Sequence, residues 1–301
     1  MITIKVPATS ANIGAGFDSC GLALQMYNTV QMEPAEGVHI SSADKSRVPT
    51  GENNLIYTTA RHLYELCGKP FTGLKLVQTN AIPQARGLGS SSACIAAGLL
   101  GANTLLGNPL DADEILNLAT KLEGHPDNVA PALLGGFVVS AYDAGRVYSV
   151  RKDISEKLAF AAFIPDFKLL TKKARSALPA QVAHRDAVFN LSRAALLAAA
   201  FCEERYELLS VATKDCLHQQ YRMGLVPGGQ EIFALAQQLG AHAVFLSGAG
   251  PTILAIADAS DDAFFDRAEQ ALAQTQATKA FTLHRLAADN RGAFVQETTV
   301  I

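Results

Sequence analysis

The sequence predicts a protein of mixed helices and strands, large enough for two domains. Three observations carry this. The chain has 301 residues, where a domain takes roughly 100–200. Alternating apolar patterns and three-to-four-residue apolar spacings follow one another in both halves. Gly-rich segments separate these patterns. A content of 49% hydrophobic and 18% charged residues excludes a disordered chain, a collagen-like chain and a coiled coil.

The elements are read in order. Ile2, Ile4 and Val6 share one face of a half-buried strand. The following stretch, Pro7 to Asp18, is small, polar and Gly-rich and reads as a loop. Leu24–Met32 alternates again and reads as a strand. Leu55, Ile56, Ala60, Leu63, Tyr64 and Cys67 have helical spacing, with Gly68 where a C-terminal cap belongs. Leu74 and Leu76 mark a strand ending near Asn80. An apolar helix from Ala93 to about Leu106 has no polar face, so it is expected to be central and buried. Asp111 can cap a helix carrying Ile115, Leu116, Ala119 and Leu122, which Glu123–Asn128 breaks. Phe137–Tyr142 and Arg146–Val150 read as a hairpin across Asp143-Ala144-Gly145. Leu158–Ile164 opens the second half as a strand. Helical patterns follow over 172–178, 181–201 and 204–218. Val244–Leu246 and Ile253–Ile256 read as strands, then a helix over 261–274 and strands over 280–286 and 293–298. A boundary near 151–157 divides the chain into 1–155 and 156–301.

Composition narrows the function. A net charge of -3 gives no basic excess for nucleic acid or an anionic membrane. The five cysteines are odd in number and widely spaced without a CxxC pair, so they read as reduced thiols. Residues 1–7 lack the apolar run of a signal peptide, and no stretch reaches the ~18 apolar residues of a membrane span. A soluble cytoplasmic protein is expected.

Three segments carry chemistry. Between a strand pattern and the apolar helix lies Gly87-Leu88-Gly89-Ser90-Ser91-Ser92. The first turn of a helix leaves backbone N–H groups unpaired and partly positive, which suits phosphate. Glycines let the backbone approach the anion, and a serine hydroxyl can ligate magnesium. No Walker A or Rossmann pattern occurs. Glu123-Gly124-His125-Pro126-Asp127-Asn128 can hold a metal and orient an alcohol, or can simply end one helix and cap the next. Ser247-Gly248-Ala249-Gly250-Pro251-Thr252 suits close approach to a ligand or a plain hairpin turn.

In order and spacing, Pro7–Asp18, Gly87–Ala93 and Ser247–Thr252 resemble the three motifs of the GHMP small-molecule kinases, over nearly the whole chain. The resemblance implies an α+β fold of two domains, the N-terminal one like ribosomal protein S5 domain 2 and the C-terminal one ferredoxin-like, with the site in the cleft between them. Within the family, PATSANIGAGFDSCG (7–21), EGHPDNVAPALLGG (123–136) and LSGAGPT (246–252) resemble the members that act on L-homoserine. That implies transfer of phosphate from MgATP to L-homoserine, giving O-phospho-L-homoserine on the way to threonine. It also implies a homodimer.

By this resemblance, Arg175 and Arg222 clamp the substrate carboxylate and Asp18 takes the ammonium, with Asn12, Thr171 and Gly248 nearby. Asn128 holds the hydroxyl. The triphosphate lies on Pro83, Gln84, Ala85, Arg86, Gly87, Leu88, Gly89, Ser90, Ser91, Ser92 and Ala93, the adenine near Asn54 and Leu55. Magnesium falls to Ser91 and Glu123. Arg86 stands where many relatives have a small residue; its charge either aids phosphate binding or faces solvent. The catalytic group is Asp127, Asn128 and His125. The connection from Glu123 to Asp127 is shorter than in many relatives, so two mechanisms stay open: Asp127 accepts the hydroxyl proton, or no side-chain base acts. The alternatives are another substrate of the family, mevalonate or a sugar, and an inactive nucleotide-binding regulator. Asp18 and the two arginines favour an amino acid over a sugar. The phosphate loop and Glu123 disfavour the regulator.

Overall fold

Alternation along β7 (Leu158–Pro165) explains how the molecule is assembled. Every residue of this strand is buried. Leu158, Phe160, Ala162 and Ile164 face one apolar core, and Ala159, Ala161 and Phe163 face another. A strand covered on both sides must be apolar without a break, as this one is.

The computed structural model describes residues 1–297. Its first sheet contains β1 (Ile2–Ala11), β2 (Cys20–Pro34), β3 (Gly37–Ser42), β4 (Gly73–Asn80), β5 (Phe137–Asp143) and β6 (Arg146–Lys152). The second contains β7, β8 (Ala243–Leu246), β9 (Ile253–Asp258) and β10 (Phe281–Leu286), in the order β10-β7-β9-β8. The last strand, β11 (Phe294–Glu297), returns to the first sheet and pairs antiparallel with β1. The cut near residue 155 therefore falls between the sheets, while the end of the chain crosses back. Residue 298, the end of the final expected strand, lies outside the described residues.

Four helices pack on the first sheet: α1 (Leu55–Leu66), α2 (Ser90–Leu105), α3 (Ala112–Glu123) and α4 (Pro126–Leu134). Helix α2 is central, with ten of its residues buried. The second half carries α5 (Thr171–Ser176), α6 (His184–Cys202), α7 (Leu209–Ala212), α8 (Gln219–Arg222), α9 (Gly229–Gln238) and α10 (Asp262–Leu272). The Asp111 cap is present as a full capping box with Glu114. Gly68 takes the left-handed position after α1 at φ 63°.

The structure corrects two readings. Pro7–Ala11 is strand, not loop: it continues β1 against Gly21–Leu24, after a register shift between Pro7 and Ala8. Its small residues let α2 and α4 lie close on it. Residues 204–218 are not one helix. The Asp215 carboxylate accepts hydrogen bonds from the backbone N–H of Leu217, His218 and Gln219, which ends the run after α7 and starts α8 afresh. Elements the sequence did not signal are β3 and α9. Helix α4 is the helix that 123–128 can cap by sequence, but His125 stands at its N-cap, Pro126 opens it where proline is tolerated, and Asp127 lies in its first turn.

Candidate active site

The three Gly-rich segments meet. Ser247 Oγ donates to Gly87 O at 2.6 Å, and the Thr252 amide donates to Arg86 O at 3.2 Å. The Gly248 amide donates to Ala11 O, and Asn12 Nδ2 donates back to Gly248 O at 2.8 Å. The 247–252 segment is a hairpin turn between β8 and β9 and also the wall that presses the phosphate loop against the end of β1. A Cβ on Gly87 would lie 2.3 Å from Ser247 O, so only glycine permits this approach.

A cavity of about 120 Å³ opens where they meet. Its walls include Asn12, Asp18, Ala85, Arg86, Gly87, Gly89, Ser90, Ser91, Glu123, His125, Asp127, Asn128, Thr171, Arg175, Arg222 and Gly248. A second space of about 560 Å³ shares Asp18, Ser91, Glu123, His125, Thr171 and Arg175 with it and reaches Leu55. A third, of about 280 Å³, is lined by Asn54, Leu55, Gln84, Ser90, Ser91 and Cys94. Pro83, Leu88, Ser92 and Ala93 line none of these; Leu88 and Ala93 are core side chains.

The phosphate end follows from helix termini. Asn54 caps α1 and Asp111 caps α3 through side-chain hydrogen bonds, but α2 has none. Gly89 stands at its N-cap at φ 70°, and Ser90 and Ser91 of its first turn line the cavity. An uncapped N-terminus facing a cavity is an anion site. Ser91 Oγ and Ser92 Oγ both donate to Glu123, at 3.1 and 3.0 Å. Only Ser91 is exposed to the cavity; Ser92 is fully buried. One hydroxyl and one carboxylate beside phosphate oxygens suit a hard cation such as magnesium. Arg86 does not face the phosphate region freely. Its Nε donates to Pro165 O, Nη2 to Asp166 O and Nη1 to Gln84 O, tying the phosphate loop to the end of β7.

The other end is charged. Arg175 grips Asp18 with two hydrogen bonds, Nη2 to Oδ1 at 2.8 Å and Nη1 to Oδ2 at 3.2 Å. Arg222 is 1% exposed and, among the described residues, has no carboxylate partner. Its polar contacts are Ala174 O, Gly248 O and His218 Nδ1. Burial, and then Arg175, hold its pKa below the usual arginine value. A buried guanidinium without a counter-ion costs several kcal/mol unless an anion joins it. Asn12 uses both ends of its amide, donating to Gly248 O and accepting from the Asp18 amide at 3.0 Å, so it shapes the pocket. Asn12 and Asp18 both take left-handed backbone angles, at φ 70° and 53°.

Between the two ends lie His125, Asp127 and Asn128, delivered by the start of α4. Asp127 is buried and accepts a short hydrogen bond from His125 Nδ1. Burial opposes charge on His125, but the bond to Asp127 and its charge outweigh it and raise the imidazole pKa. Asn128 Oδ1 accepts from Thr9 Oγ1 at 2.7 Å, which turns the amide NH2 toward Asp127 and the cavity. Burial, with Asp127 adding, pushes the Cys20 thiol up to about 12. Sequence reasoning missed Thr9, Phe17 and His218. Phe17 stacks on His218 with ring centroids 5.2 Å apart and lies under both arginines.

The chain matches the model of the GHMP kinase N-terminal domain over residues 54–136 and that of the GHMP kinase C-terminal domain over 197–276. It is 42% identical to homoserine kinase of Clostridium beijerinckii, covering 99% of this chain and 100% of that one. It is 44% identical to homoserine kinase of Caldicellulosiruptor saccharolyticus, covering 98% and 96%. The crystal structure of homoserine kinase from Cytophaga hutchinsonii superposes with a TM-score of 0.84 at 27% identity, covering 98% of this chain and 97% of that one. The crystal structure of L. major mevalonate kinase shares the fold, with a TM-score of 0.70 at 15% identity and 94% of each chain covered. Among the described residues no helix is long and apolar enough to cross a membrane.

Proposed function

The chain belongs to the GHMP kinase family and, within it, to the homoserine kinases, and from that premise we propose how its cleft phosphorylates L-homoserine. The reaction transfers the γ-phosphoryl group of ATP to the terminal hydroxyl and feeds threonine synthesis. The observation that carries the substrate reading is the pairing of charges at one end of the cavity. Buried Arg222 lacks an anion, and beside it Arg175 and Asp18 hold each other. A zwitterionic amino acid answers all three: its carboxylate goes to Arg222 and Arg175, its ammonium to Asp18. Its side chain then points to Asn128, whose amide holds the hydroxyl.

The triphosphate lies over the open first turn of α2, with Gly87 and Gly89 allowing close approach. Leu55, exposed at the mouth of the third space, forms an apolar wall for adenine. The Asn54 amide is occupied in capping α1, so it supports this wall by holding the helix start. Ser91 and Glu123 would hold magnesium, which when bound would neutralise charge on the transferring phosphoryl group. Asp127 Oδ1 accepts from His125 and Asn128, which fits an orienting part. The hydroxyl proton passes to a phosphate oxygen or water, as a loose phosphoryl-transfer transition state allows. A cytoplasmic setting fits the five free cysteines. A homodimer fits the exposed edge strand β6, where Tyr148 and Val150 stand open.

ADP production with MgATP and a panel of L-homoserine, D-homoserine, L-threonine, mevalonate and galactose tests this reading. Turnover restricted largely to L-homoserine is expected. Turnover of mevalonate or galactose with homoserine ignored would remove the substrate assignment and leave the phosphate loop standing.

A further inference from the structure

His218 is a buried polar side chain beside Arg222 that the reaction has not used. It is fully buried, at the N-cap of α8, four residues before Arg222. Its Nε2 lies 2.8 Å from Gly14 O, and its Nδ1 lies 3.2 Å from Arg222 Nη1. A carbonyl oxygen only accepts, so Nε2 must carry the proton. A guanidinium only donates, so Nδ1 must be the bare nitrogen. The two contacts fix one neutral tautomer. Burial lowers the pKa of the ring, which keeps it neutral. Three further constraints hold the ring: Phe17 stacks on its face, and the Asp215 carboxylate accepts its backbone N–H and lies 3.7 Å from Nε2.

We propose that His218 is a positioning residue that aims Arg222 at the substrate carboxylate and locks it to the Asn12–Asp18 loop through Gly14. This rests on the homoserine reading above. The alternative grips on Arg222 are two backbone carbonyls, Ala174 O and Gly248 O, each at 3.3 Å. They satisfy Nε and share Nη1. Phe17 lies beneath the guanidinium, and His218, which stacks on the same ring, supplies its third hydrogen-bond partner. The imidazole also hydrogen-bonds Gly14, two residues after Asn12 and four before Asp18. One side chain therefore ties the carboxylate-binding arginine to the loop that carries the ammonium-binding aspartate. Spacing between the two charges of an amino acid is what this tie would hold constant.

The test is steady-state kinetics on the full-length enzyme. His218→Phe keeps the stack on Phe17 and removes both nitrogens. It is expected to raise KM for L-homoserine tenfold or more, with kcat and KM for ATP within about threefold of the parent. His218→Gln, which can donate and accept, is expected to recover most of the loss and serves as the variant that folds if Phe does not. In an Arg222→Met background the His218→Phe change is expected to add less than about threefold, because its effect runs through Arg222. Equal losses for homoserine and ATP would overturn the proposal. So would an unchanged KM for homoserine, or a full additional loss in the Arg222→Met background. A parent enzyme that ignores L-homoserine would instead remove the reading on which the proposal rests, and the proposal with it.

Discussion

At the scale of the residue, two groups in the reaction region have opposed environments. His125 is held above its ordinary pKa by Asp127 despite burial, and His218 is held below by burial. A histidine whose pKa rises on folding contributes stability in full below its unfolded value and loses it as pH rises through the folded value. The Tm difference between the parent and His125→Gln is therefore expected to be largest near about pH 6 and to shrink toward about pH 9. A difference that widens with pH contradicts the pairing with Asp127. For the reaction itself, Asp127→Asn keeps the shape of the site and removes the charge. The orienting role predicts a fall in kcat of less than about tenfold, whereas a general base is worth roughly a hundredfold or more. The residues that carry these roles were partly legible in the sequence. Asp127, Asn128, Arg175 and Arg222 stand in recognisable segments. Thr9, Phe17 and His218 do not, because a single threonine, phenylalanine or histidine carries no periodic signal. Their roles arise only when Thr9 meets Asn128 across 119 positions and His218 meets Gly14 across 204.

At the scale of the element, the uncapped start of α2 separates it from α1 and α3, whose starts are closed by side chains. The phosphate loop that feeds it is held by backbone approach to the 247–252 turn. Gly87→Ala places a methyl group 2.3 Å from Ser247 O at φ 77°, a doubly unfavourable site. It is expected to raise KM for ATP tenfold or more and to lower Tm, with KM for homoserine less affected. An enzyme with parent-like ATP kinetics would show that this contact does not shape the loop. Strongly amphipathic helices such as α1, α3 and α10 were readable from spacing. Strand β3 has only Val38 and Ile40 to announce it, both half-buried on an edge. Helix α9 follows Pro227-Gly228, which is turn chemistry, and Gly228 starts it from a left-handed angle of 78°. Pro7–Ala11 looked like loop because small residues and proline suit turns; burial beneath two helices makes it strand instead.

At the scale of the molecule, the two sheets share a core. Phe160 of β7 and Leu254 of β9 belong to the same buried cluster as Ile4, Leu22 and Leu99, and β11 carries the chain back to β1. One cooperative unfolding transition in calorimetry is the expected result, and two resolved transitions would contradict a shared core. Most strands and helices of both sheets are legible in the sequence, but the return of β11 to β1 is not, because pairing between the two ends of a chain leaves no local mark. The same architecture places Asn12, Asp18 and the phosphate loop on one half and Arg175, Arg222 and Gly248 on the other. The site exists only where the halves meet. Its central claim is recognition of both charges of an amino acid next to a phosphate loop. The most direct measurement compares kcat/KM for L-homoserine with those for 3-aminopropan-1-ol, which lacks the carboxylate, and 4-hydroxybutanoate, which lacks the ammonium. Loss of a buried charge partner is worth about 2–5 kcal/mol, so each analogue is expected to fall by roughly thirtyfold or more. Analogues turned over as well as L-homoserine would contradict the roles assigned to Asp18, Arg175 and Arg222.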